Sequence, residues 1–418
     1  MAATRTDRHL HTHTHTVGVL SMIRNTAGRM PEDRYCRMLS ELGTGRHIDL
    51  IVFSPADIDE AQGTVRGYSL RGGVWRLREA AVPPLYYDRL FCRTREERSR
   101  GRAAIRKLQR CGSMPLGGAL PDKRTVYQAL ARDAGFAPLL PPTVPFRPAE
   151  LERLLETCPQ GLFLKPSGGM QGRGTVALRF AGAAGRSAKH STVRCKEGPF
   201  AVQGRSAGNR PFTAHFPDTA SLKTWLAGVT GGCRYVAQPL LELNSPDGAP
   251  FDIRILVQKD GAGGWRISGA GVRIGLPGTA TANLHGGGSA RKLEPFLAAA
   301  YGEPAARKLA TRLREAALQA AGLLEQSFGR LSELGLDFGL EPDGRLWFIE
   351  ANGKPGRMLF RLTGDGEALR LSVLQPLAYA RYLLDRNAFF SARNGLHMHP
   401  AGAIETPVHT RFPQEVHS

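Results

Sequence analysis

The sequence lacks the long apolar runs that membrane insertion and secretion require. No stretch of its 418 residues approaches the roughly 18 consecutive apolar residues that span a bilayer. The N-terminal segment MAATRTDRHLHTHTHT also lacks the apolar core of a signal peptide. We therefore expect no membrane insertion and a cytoplasmic location.

Cysteine is scarce, and the six cysteines stand apart from one another. None belongs to a Cys-x-x-Cys pair or to a Cys/His spacing that would bind zinc. This pattern favours reduced, mostly structural thiols over a zinc site or a disulfide framework. The set is Cys36, Cys92, Cys111, Cys158, Cys195 and Cys233.

Acidic residues are in short supply, with 37 against 56 basic residues and a net charge of +19. Such a charge suggests a nucleic acid, a membrane surface or an anionic small substrate as partner. The excess is spread along the chain, except for nine basic residues between Arg89 and Arg110 that accompany only Glu96 and Glu97. A solvated helix face explains this cluster better than nucleic-acid binding does. Only 10 of the basic residues are lysine, so a lysine within a motif is more informative than an arginine.

The first part of the chain has the pattern of an α/β domain. Apolar runs at 16–20 and 48–53 flank a helical stretch from Pro31 to Leu42, which predicts a βαβ-like opening. Further strands are predicted at 73–77 and 84–90, ahead of the basic helix.

The Gly- and Pro-rich segment 113–121 predicts a boundary to a second domain. There a helix begins after the N-cap Asp122, and strands then alternate with turns and with helices at 303–328 and 364–386, an α+β pattern. The Gly/Ala/Arg-rich stretch 181–210 fits no element and is predicted to be a loop. The predicted division is a disordered tail (1–15), a pre-domain (16–118), a second domain (119–390) and a mobile C-terminal tail (391–418).

The segment LGLDFGLEPDGRLWFIEANGKPG carries the strongest local signal. Asp343 and Gly344 predict a two-residue type I′ hairpin turn, because both central positions of that turn need positive φ. The turn would place Asp337 opposite Glu350, with Asn352 two residues along on the same face. The predicted buried face comprises Leu336, Phe338, Leu340, Trp347, Ile349 and Ala351.

Two carboxylates that face each other across a strand pair repel, so something must neutralise them. A divalent cation such as Mg²⁺, bound by Asp337, Glu350 and the amide oxygen of Asn352, would do so. The alternative is an exposed hairpin face whose charges are solvated or paired with arginines, and the geometry alone leaves both open.

A glycine-rich loop follows Lys165 at the end of an apolar strand. Gly168, Gly169, Gly172 and Gly174 would keep its backbone open to a bulky anion. The loop leads into the strand TVALRF and lacks a Gly-Lys-Ser/Thr ending, which sets it apart from P-loops and Rossmann loops. It could fold over a triphosphate with the lysine on a phosphate, whereas a flexible surface turn is the ordinary alternative.

Other polar residues stand at unexpected positions. Lys123, in the first turn of its helix, opposes the helix dipole, and a phosphate ligand would offset this. Asp252 and Arg254 share one face of the strand FDIRILVQ. Arg273 and Asn283 lie among apolar or glycine positions. Taken singly, the residues of the strand FDIRILVQ, Arg273 and Asn283 are more simply explained as salt-bridge or turn residues.

In this combination and order, the motifs resemble the ATP-grasp superfamily. The segments VGVL, PPLYYDRL, FDIRILVQKD, NLHGGG and LGLDFGLEPDGRLWFIEANGKPGR resemble its endospore coat-associated YheC/YheD-like branch, over roughly residues 16–390. The resemblance implies an α+β ATP-grasp fold, with two α+β lobes around an ATP cleft, preceded by a small Rossmann-like α/β pre-domain. It also implies ATP and Mg²⁺ as cofactors, with Mn²⁺ as the alternative metal.

The resemblance assigns the predicted residues to three groups. The ATP-binding group comprises Lys123, Lys165, Gly168, Gly169, Gly172, Gly174, Gln238, Leu240, Leu241 and Glu242. The metal-binding group comprises Asp337, Glu350 and Asn352, and the catalytic group comprises Arg254, Arg273 and Asn283. Adenine would lie on the strand 236–242, where Pro239 has no N–H, so the backbone donor is expected on Leu240 or Leu241.

The implied chemistry is ATP-dependent carboxylate–amine ligation through an acyl phosphate, which needs no side-chain nucleophile. The partners would be ATP, a small carboxylate and a small amine, and a nucleic-acid partner is not expected. Two alternatives stay open. One is a phosphotransferase on the same fold; the other is a non-catalytic, ATP-binding protein associated with the spore coat.

Overall fold

The computed structural model of the protein describes residues 14–23, 30–92, 94–168, 172–180, 199–276, 279, 282 and 287–393. Within these ranges the chain forms three β-sheets with helices packed against them. In the same ranges, no helix combines the length and the apolar character that crossing a membrane demands.

The N-terminal sheet is mixed, with the strand order β3-β4-β2-β1-β6-β7 and β5 paired to β4. Its strands are β1 (His15–Leu20), β2 (Ile48–Phe53), β3 (Ile58–Asp59), β4 (Thr64–Arg71), β5 (Val74–Ala81), β6 (Leu85–Asp88) and β7 (Met114–Pro115). Strands β2, β1, β6 and β7 are parallel, and helix α1 (Asp33–Thr44) connects β1 to β2. The predicted βαβ opening is therefore confirmed.

Helix α2 (Arg95–Arg110) packs against this sheet and corresponds to the predicted basic helix. It begins with a capping box, in which the hydroxyl of Thr94 accepts from the backbone N–H of Glu97 at 3.0 Å. Arg89 does not belong to the solvated face that was predicted, because its side chain is 1% exposed. Arg89 directly follows β6, and its guanidinium is buried where it pairs with Glu32 and Glu333.

The second sheet is antiparallel, with the order β12-β11-β10-β9-β13-β8, and follows helix α3 (Lys123–Leu130). Its strands are β8 (Val144–Phe146), β9 (Leu162–Pro166), β10 (Val176–Phe180), β11 (Phe200–Arg205), β12 (Pro211–Phe216) and β13 (Tyr235–Pro239). Helices α4 (Leu151–Thr157) and α5 (Thr219–Thr230) bury Leu154 and Leu226 in the core of this sheet.

Strand β11 corrects the prediction of a loop over 181–210. Residues 200–205 pair on both sides, with β10 and with β12, and bury Phe200 and Val202. The alternation of apolar residues in FAVQGR is too short to be diagnostic, and the two neighbouring strands provide the hydrogen bonds that fix it. Residues 181–198 lie outside the described residues.

The third sheet is also antiparallel, with the order β16-β15-β14-β17-β18. Its strands are β14 (Phe251–Lys259), β15 (Trp265–Ile274), β16 (Ser289–Lys292), β17 (Glu333–Leu340) and β18 (Leu346–Asn352). One face packs against α6 (Leu293–Tyr301) and the alanine-rich α7 (Glu303–Phe328), whose bounds match the predicted helix. Helices α8 (Met358–Leu362) and α9 (Gly366–Arg393) pack elsewhere on the sheet, and α9 extends to residue 393 rather than to 386.

Helix α9 also packs against the N-terminal sheet. Val373 and Leu377 share one apolar core with Val17 of β1 and Leu39 of α1. The chain thus returns from the third sheet to its first strand, and this contact joins the two ends of the described region.

Candidate active site

The hairpin of β17 and β18 has a three-residue turn instead of the predicted two-residue turn. The N–H of Gly344 donates to the carbonyl of Glu341 at 2.8 Å, and the N–H of Glu341 donates to the carbonyl of Arg345 at 3.0 Å. Within this turn only Gly344 has positive φ, at 81°. Pro342 explains the difference, since its fixed φ suits the first central position of a type I turn.

The register at the site is nevertheless the predicted one. Beside the turn Leu340 pairs with Leu346, one position away from the prediction, but a β-bulge at Ile349 shifts the pairing back. Asp337 therefore lies opposite Glu350, and Asn352 follows on the same strand. The two displacements cancel.

The bulge also changes which side chains of β18 reach the core. Leu346 and Phe348 belong to the core of the third sheet, and Ile349, which was predicted to be buried, is half-buried. Trp347 is buried as predicted, at 5% exposed; its indole N–H donates to Glu341 Oε2 at 2.8 Å, and Arg345 lies 4.1 Å above its ring. The buried side of β17 is as predicted.

Asp337 lies between two arginines and is only 2% exposed. Arg254, its register partner on β14, donates from Nε and from Nη2, the latter at 2.8 Å. Nη2 of Arg273 on β15 lies 2.9 Å from Asp337 Oδ2. Both predicted arginines are thus brought to the predicted metal ligand.

Arg273 also binds Asp252, which was noted on its strand but not included in the predicted site. Its Nε and Nη2 donate to the two carboxylate oxygens at 2.5 and 2.7 Å. Burial raises the pKa of Asp252 to about 6, and the charge of Arg273 opposes this rise. The sequence signal for this residue was the two-residue spacing from Arg254.

Glu350 is held by Lys123, whose ammonium donates to Oε2, and by Asn352 Nδ2, at 3.1 Å from Oε1. Burial alone would raise the pKa of Glu350, but the charge and hydrogen bond of Lys123 hold it well below its usual range. Burial lowers the pKa of nearby Lys165 to about 8, and the charge of Lys123 acts in the same direction.

One pocket connects these groups. Lys123, Lys165, Gln238 and Glu350 all line it, between α3, β9, β13 and β18. The lining also includes residues that sequence reasoning missed, because nothing in their local pattern distinguishes them: Arg124, Tyr127, Gln128, Thr143 and Ser167.

Gln238 points into this pocket from β13 and donates from Nε2 to Thr143 Oγ1 at 2.7 Å. The N–H of Leu240 donates to the carbonyl of Gly161 at 3.0 Å, which leaves Leu241 as the expected adenine donor. Three residues of the predicted ATP-binding group do not line the pocket: Leu240, Leu241 and Glu242.

The glycine loop joins the antiparallel strands β9 and β10, in the predicted strand-loop-strand order. Gly172 and Gly174 have positive φ, at 68° and 73°, whereas Gly168 has open space around the position of a Cβ. Gly169 of the loop and Asn283 of the predicted catalytic group lie outside the described residues.

A buried ionic cluster, which sequence reasoning missed, lies behind the hairpin. Glu333 at the start of β17 accepts from Arg89 Nη1 at 3.0 Å, from the hydroxyl of Tyr87 at 2.5 Å and from Arg357, beyond the end of β18. Arg89 also binds Glu32, at 2.6 Å. The cluster holds both ends of the hairpin against the N-terminal sheet.

Asp337, Glu350 and Asn352 form a set that suits a hard cation. Asn352 Nδ2 lies 3.1 Å from Glu350 Oε1 and 3.5 Å from Asp337 Oδ2, so the three side chains meet. Carboxylate and amide oxygens are ligands that Mg²⁺ prefers. Among the described residues no group of three His, Cys, Asp or Glu side chains is arranged to hold a metal ion, and in the structure arginine and lysine balance both carboxylates.

Comparison with known proteins agrees with this geometry. A family model described as YheC/D-like ATP-grasp matches residues 115–383. The endospore coat-associated proteins YheC and YheD of Bacillus subtilis (strain 168) are 28% and 27% identical, over 89% and 80% of this chain and 97% and 70% of their own lengths. The crystal structure of the D-cycloserine synthetase DcsG superimposes with a TM-score of 0.51 at 15% identity, over 88% of this chain and 99% of that one, which shows the fold.

Proposed function

This chain belongs to the YheC/D-like ATP-grasp family, and from this we propose that it is an ATP-dependent ligase that joins a carboxylate to an amine. One observation carries the proposal. Lys123, Lys165 and Glu350 line one pocket, and Glu350 lies opposite Asp337 on the hairpin, where Asp337 meets two arginines. In this arrangement the two lysines would bind the triphosphate in the pocket, and the two arginines beside Asp337 would face the acyl group.

The proposed reaction has two steps. A carboxylate oxygen of the substrate attacks the γ-phosphorus of ATP, and the bond from that phosphorus to the bridging oxygen breaks, which gives an acyl phosphate and ADP. The amine nitrogen then attacks the acyl carbon, the carbon–oxygen bond to phosphate breaks, and the nitrogen loses a proton. The products are an amide and phosphate.

The chain's own residues would position and neutralise the anions. Lys123 and Lys165 would bind phosphate oxygens, beneath the loop that contains Gly172 and Gly174. Arg254 and Arg273 would face the transferred phosphoryl group, where preorganised cations stabilise developing charge. No side-chain nucleophile takes part, because the two substrates supply both nucleophiles.

We assign Asp337, Glu350 and Asn352 as the ligands of a magnesium ion. Their meeting on the hairpin supports this, and Asn352 would present its amide oxygen. When bound, Mg²⁺ would neutralise phosphate charge and align the phosphate oxygens. The cations that now balance the carboxylates would then be free to bind phosphate.

The ligase assignment is tested by ADP release from purified protein with Mg²⁺, ATP and a panel of carboxylates and amines. ADP formation that requires both a carboxylate and an amine would support it. A phosphorylated product without any amine would favour a phosphotransferase, and bound ATP without ADP release would favour a non-catalytic protein. Either of these two results overturns the ligase.

Glu350→Gln is expected to lower kcat by about 100-fold or more, because it removes the charge that binds the metal and orients Lys123. Glu315→Gln is the matched control, since Glu315 is exposed on α7. The control should turn over at the wild-type rate. Equal rates for both variants, with melting temperatures unchanged, would contradict the proposed site.

The names of the two curated relatives support a further part of the proposal, an association with the spore coat. Fractionation of sporulating cells that express the tagged chain would test it. Recovery with the coat layer is expected, and recovery in the cytoplasm alone would restrict the role to the cytoplasm.

A further inference from the structure

The outer face of α2 carries a row of four arginines, Arg95, Arg98, Arg102 and Arg106, here called the arginine row. At 100° per residue these positions fall within an arc of about 80°, opposite the buried positions of the helix. All four side chains are exposed. The row is about 16 Å long, from 11 residues at a rise of 1.5 Å each.

The side chains of the arginine row have no acidic partner, although Glu96 and Glu97 adjoin the row in the chain. Within the described ranges no side chain of the row forms a hydrogen bond or an ion pair, whereas Arg100 pairs with Glu96 and Arg110 pairs with Glu60 on other faces of the same helix. Four unpaired like charges at this spacing repel one another. An anionic partner would relieve that repulsion, so the row is electrostatically complementary to a chain of negative charges.

The inward face of α2, opposite the arginine row, packs on a segment that also contacts the chain just beyond the metal-binding hairpin. Leu90 and Cys92 pack against Gly101 of α2, on the side that faces the sheet. The same segment binds Lys354, whose ammonium donates to Asp88 Oδ1 at 2.6 Å and to the carbonyl of Leu90 at 3.1 Å. Lys354 is two residues beyond Asn352. Helix α2 and the chain just beyond the metal-binding hairpin therefore both contact the segment 88–92.

We infer that the arginine row docks an acidic polypeptide segment, which is the carboxylate-bearing substrate of the proposed ligase. In an extended chain, side chains on one side repeat every 6.6–6.8 Å or so, close to the rise of about 6 Å between positions i and i+4 of a helix. A row of this length would contact about five residues of such a segment. Helix α2 has no aromatic residue on which an unpaired base could stack, which argues against a single-stranded nucleic acid as the partner.

Binding to the row is measured with a fluorescently labelled glutamate oligomer in the absence of ATP. The triple variant Arg98→Glu/Arg102→Glu/Arg106→Glu should bind about 10- to 100-fold more weakly than the wild type. The control variant Arg307→Glu/Lys308→Glu/Arg312→Glu makes the same charge change at exposed positions of α7 and should bind like the wild type. Equal weakening in both would overturn the inference, because it would indicate only net charge.

Two further probes are measured against the same variants: a nucleic-acid duplex and a peptide without charged side chains. Tighter binding of the duplex than of the glutamate oligomer, lost in the row variant, would overturn the inference in favour of nucleic acid. Binding of the neutral peptide with the same affinity would overturn it as well.

The inference rests on the proposed function. Measurement of ADP release distinguishes a failure of the docking inference from a failure of the proposed ligase function. With the glutamate oligomer and an amine, the row variant should show a raised KM and an unchanged kcat. If small carboxylates are ligated but the row variant uses the oligomer as well as the wild type does, the inference alone fails. If the row binds the oligomer but no carboxylate supports ADP release, the proposed ligase alone fails.

Discussion

At Lys165 the surroundings, rather than the residue type, set the charge. The side chain is 8% exposed at the end of β9, and burial lowers its pKa to about 8. Lys123 adds to this effect, while Glu350 opposes it. A lysine with such a pKa is only partly protonated at mildly alkaline pH, so its affinity for an anion depends on pH.

ATP affinity is therefore expected to fall as the pH rises above 8. Below that pH Lys165 is already protonated, and a bound phosphate would favour the charged form and raise its pKa. Above it, binding must also take up a proton, so Kd rises by up to about tenfold per pH unit. Titration calorimetry between pH 7 and pH 9 measures both the affinity and the proton uptake.

Lys165→Arg is the control for this pH dependence, because arginine stays protonated throughout the range. Its affinity for ATP should change little between the two pH values. A wild-type affinity that is equally flat would show that Lys165 does not contact the phosphates.

The hairpin of β17 and β18 has the predicted register at the site, although its turn differs from the predicted turn. The Asp-Gly pair correctly predicts a turn, but the predicted length of two residues is wrong, because Pro342 ahead of the pair favours a type I conformation. The bulge at Ile349 then restores the register at Asp337 and Glu350. Packing of Phe348 against the core, with Phe338 and Phe136 around it, explains why the strand takes the bulge.

The glycine loop allows a matched test at the level of an element. Gly174 has φ at 73°, and a Cβ there would lie 2.8 Å from Pro166 Cγ and 2.9 Å from the hydroxyl of Tyr235. Gly174→Ala should therefore lower the free energy of unfolding by about 1–3 kcal/mol. Gly168→Ala, in open space and without positive φ, should change it by less than about 1 kcal/mol.

Urea denaturation measures the free energy of unfolding of both variants, and titration calorimetry measures their affinity for ATP. Equal stability of the two variants would show that the conformation at Gly174 is not required. Loss of ATP affinity in Gly174→Ala alone would agree with a loop that covers the phosphates.

At the scale of the whole molecule, the buried cluster of Arg89, Glu333 and Arg357 ties the N-terminal sheet to the third sheet. Burial tends to raise the pKa of Glu333, but Arg357 and Arg89 together hold it below its usual range. The stability that this carboxylate contributes is present above its ordinary pKa of 4.5 and is lost as the pH falls below it.

Arg89→Met should lower the free energy of unfolding by about 3–5 kcal/mol at neutral pH, because it leaves buried Glu333 with one cation fewer. The difference from the wild type should shrink as the pH falls below 4.5, where protonation removes the wild type's advantage. Urea denaturation at several pH values measures it. Arg95→Met, at an exposed position, is the control and should change stability by less than about 0.5 kcal/mol.

Part of this architecture could be predicted from local sequence patterns. The apolar runs and the helix around residues 31–42 predict the βαβ opening, and the bounds of α7 follow from its pattern. The order of the motifs, from Lys123 and Lys165 to the Glu-x-Asn end of the hairpin, indicates the family before any contact is known. Such features depend on neighbours within a few residues, and for this reason the sequence is sufficient for them.

Other features depend on residues that are far apart in the chain. Arg89 belongs by sequence to a basic cluster that was predicted to be exposed, yet its side chain is buried and binds Glu333, more than 240 positions away. The pairing of β11 and the meeting of Asp252, Arg273 and Asp337 likewise arise only when the sheets assemble. Sequence by itself determined the composition, the motifs and most of the elements. The tertiary structure decided which charged side chains meet, because their exposure and their pairing depend on contacts between residues that are far apart in the chain.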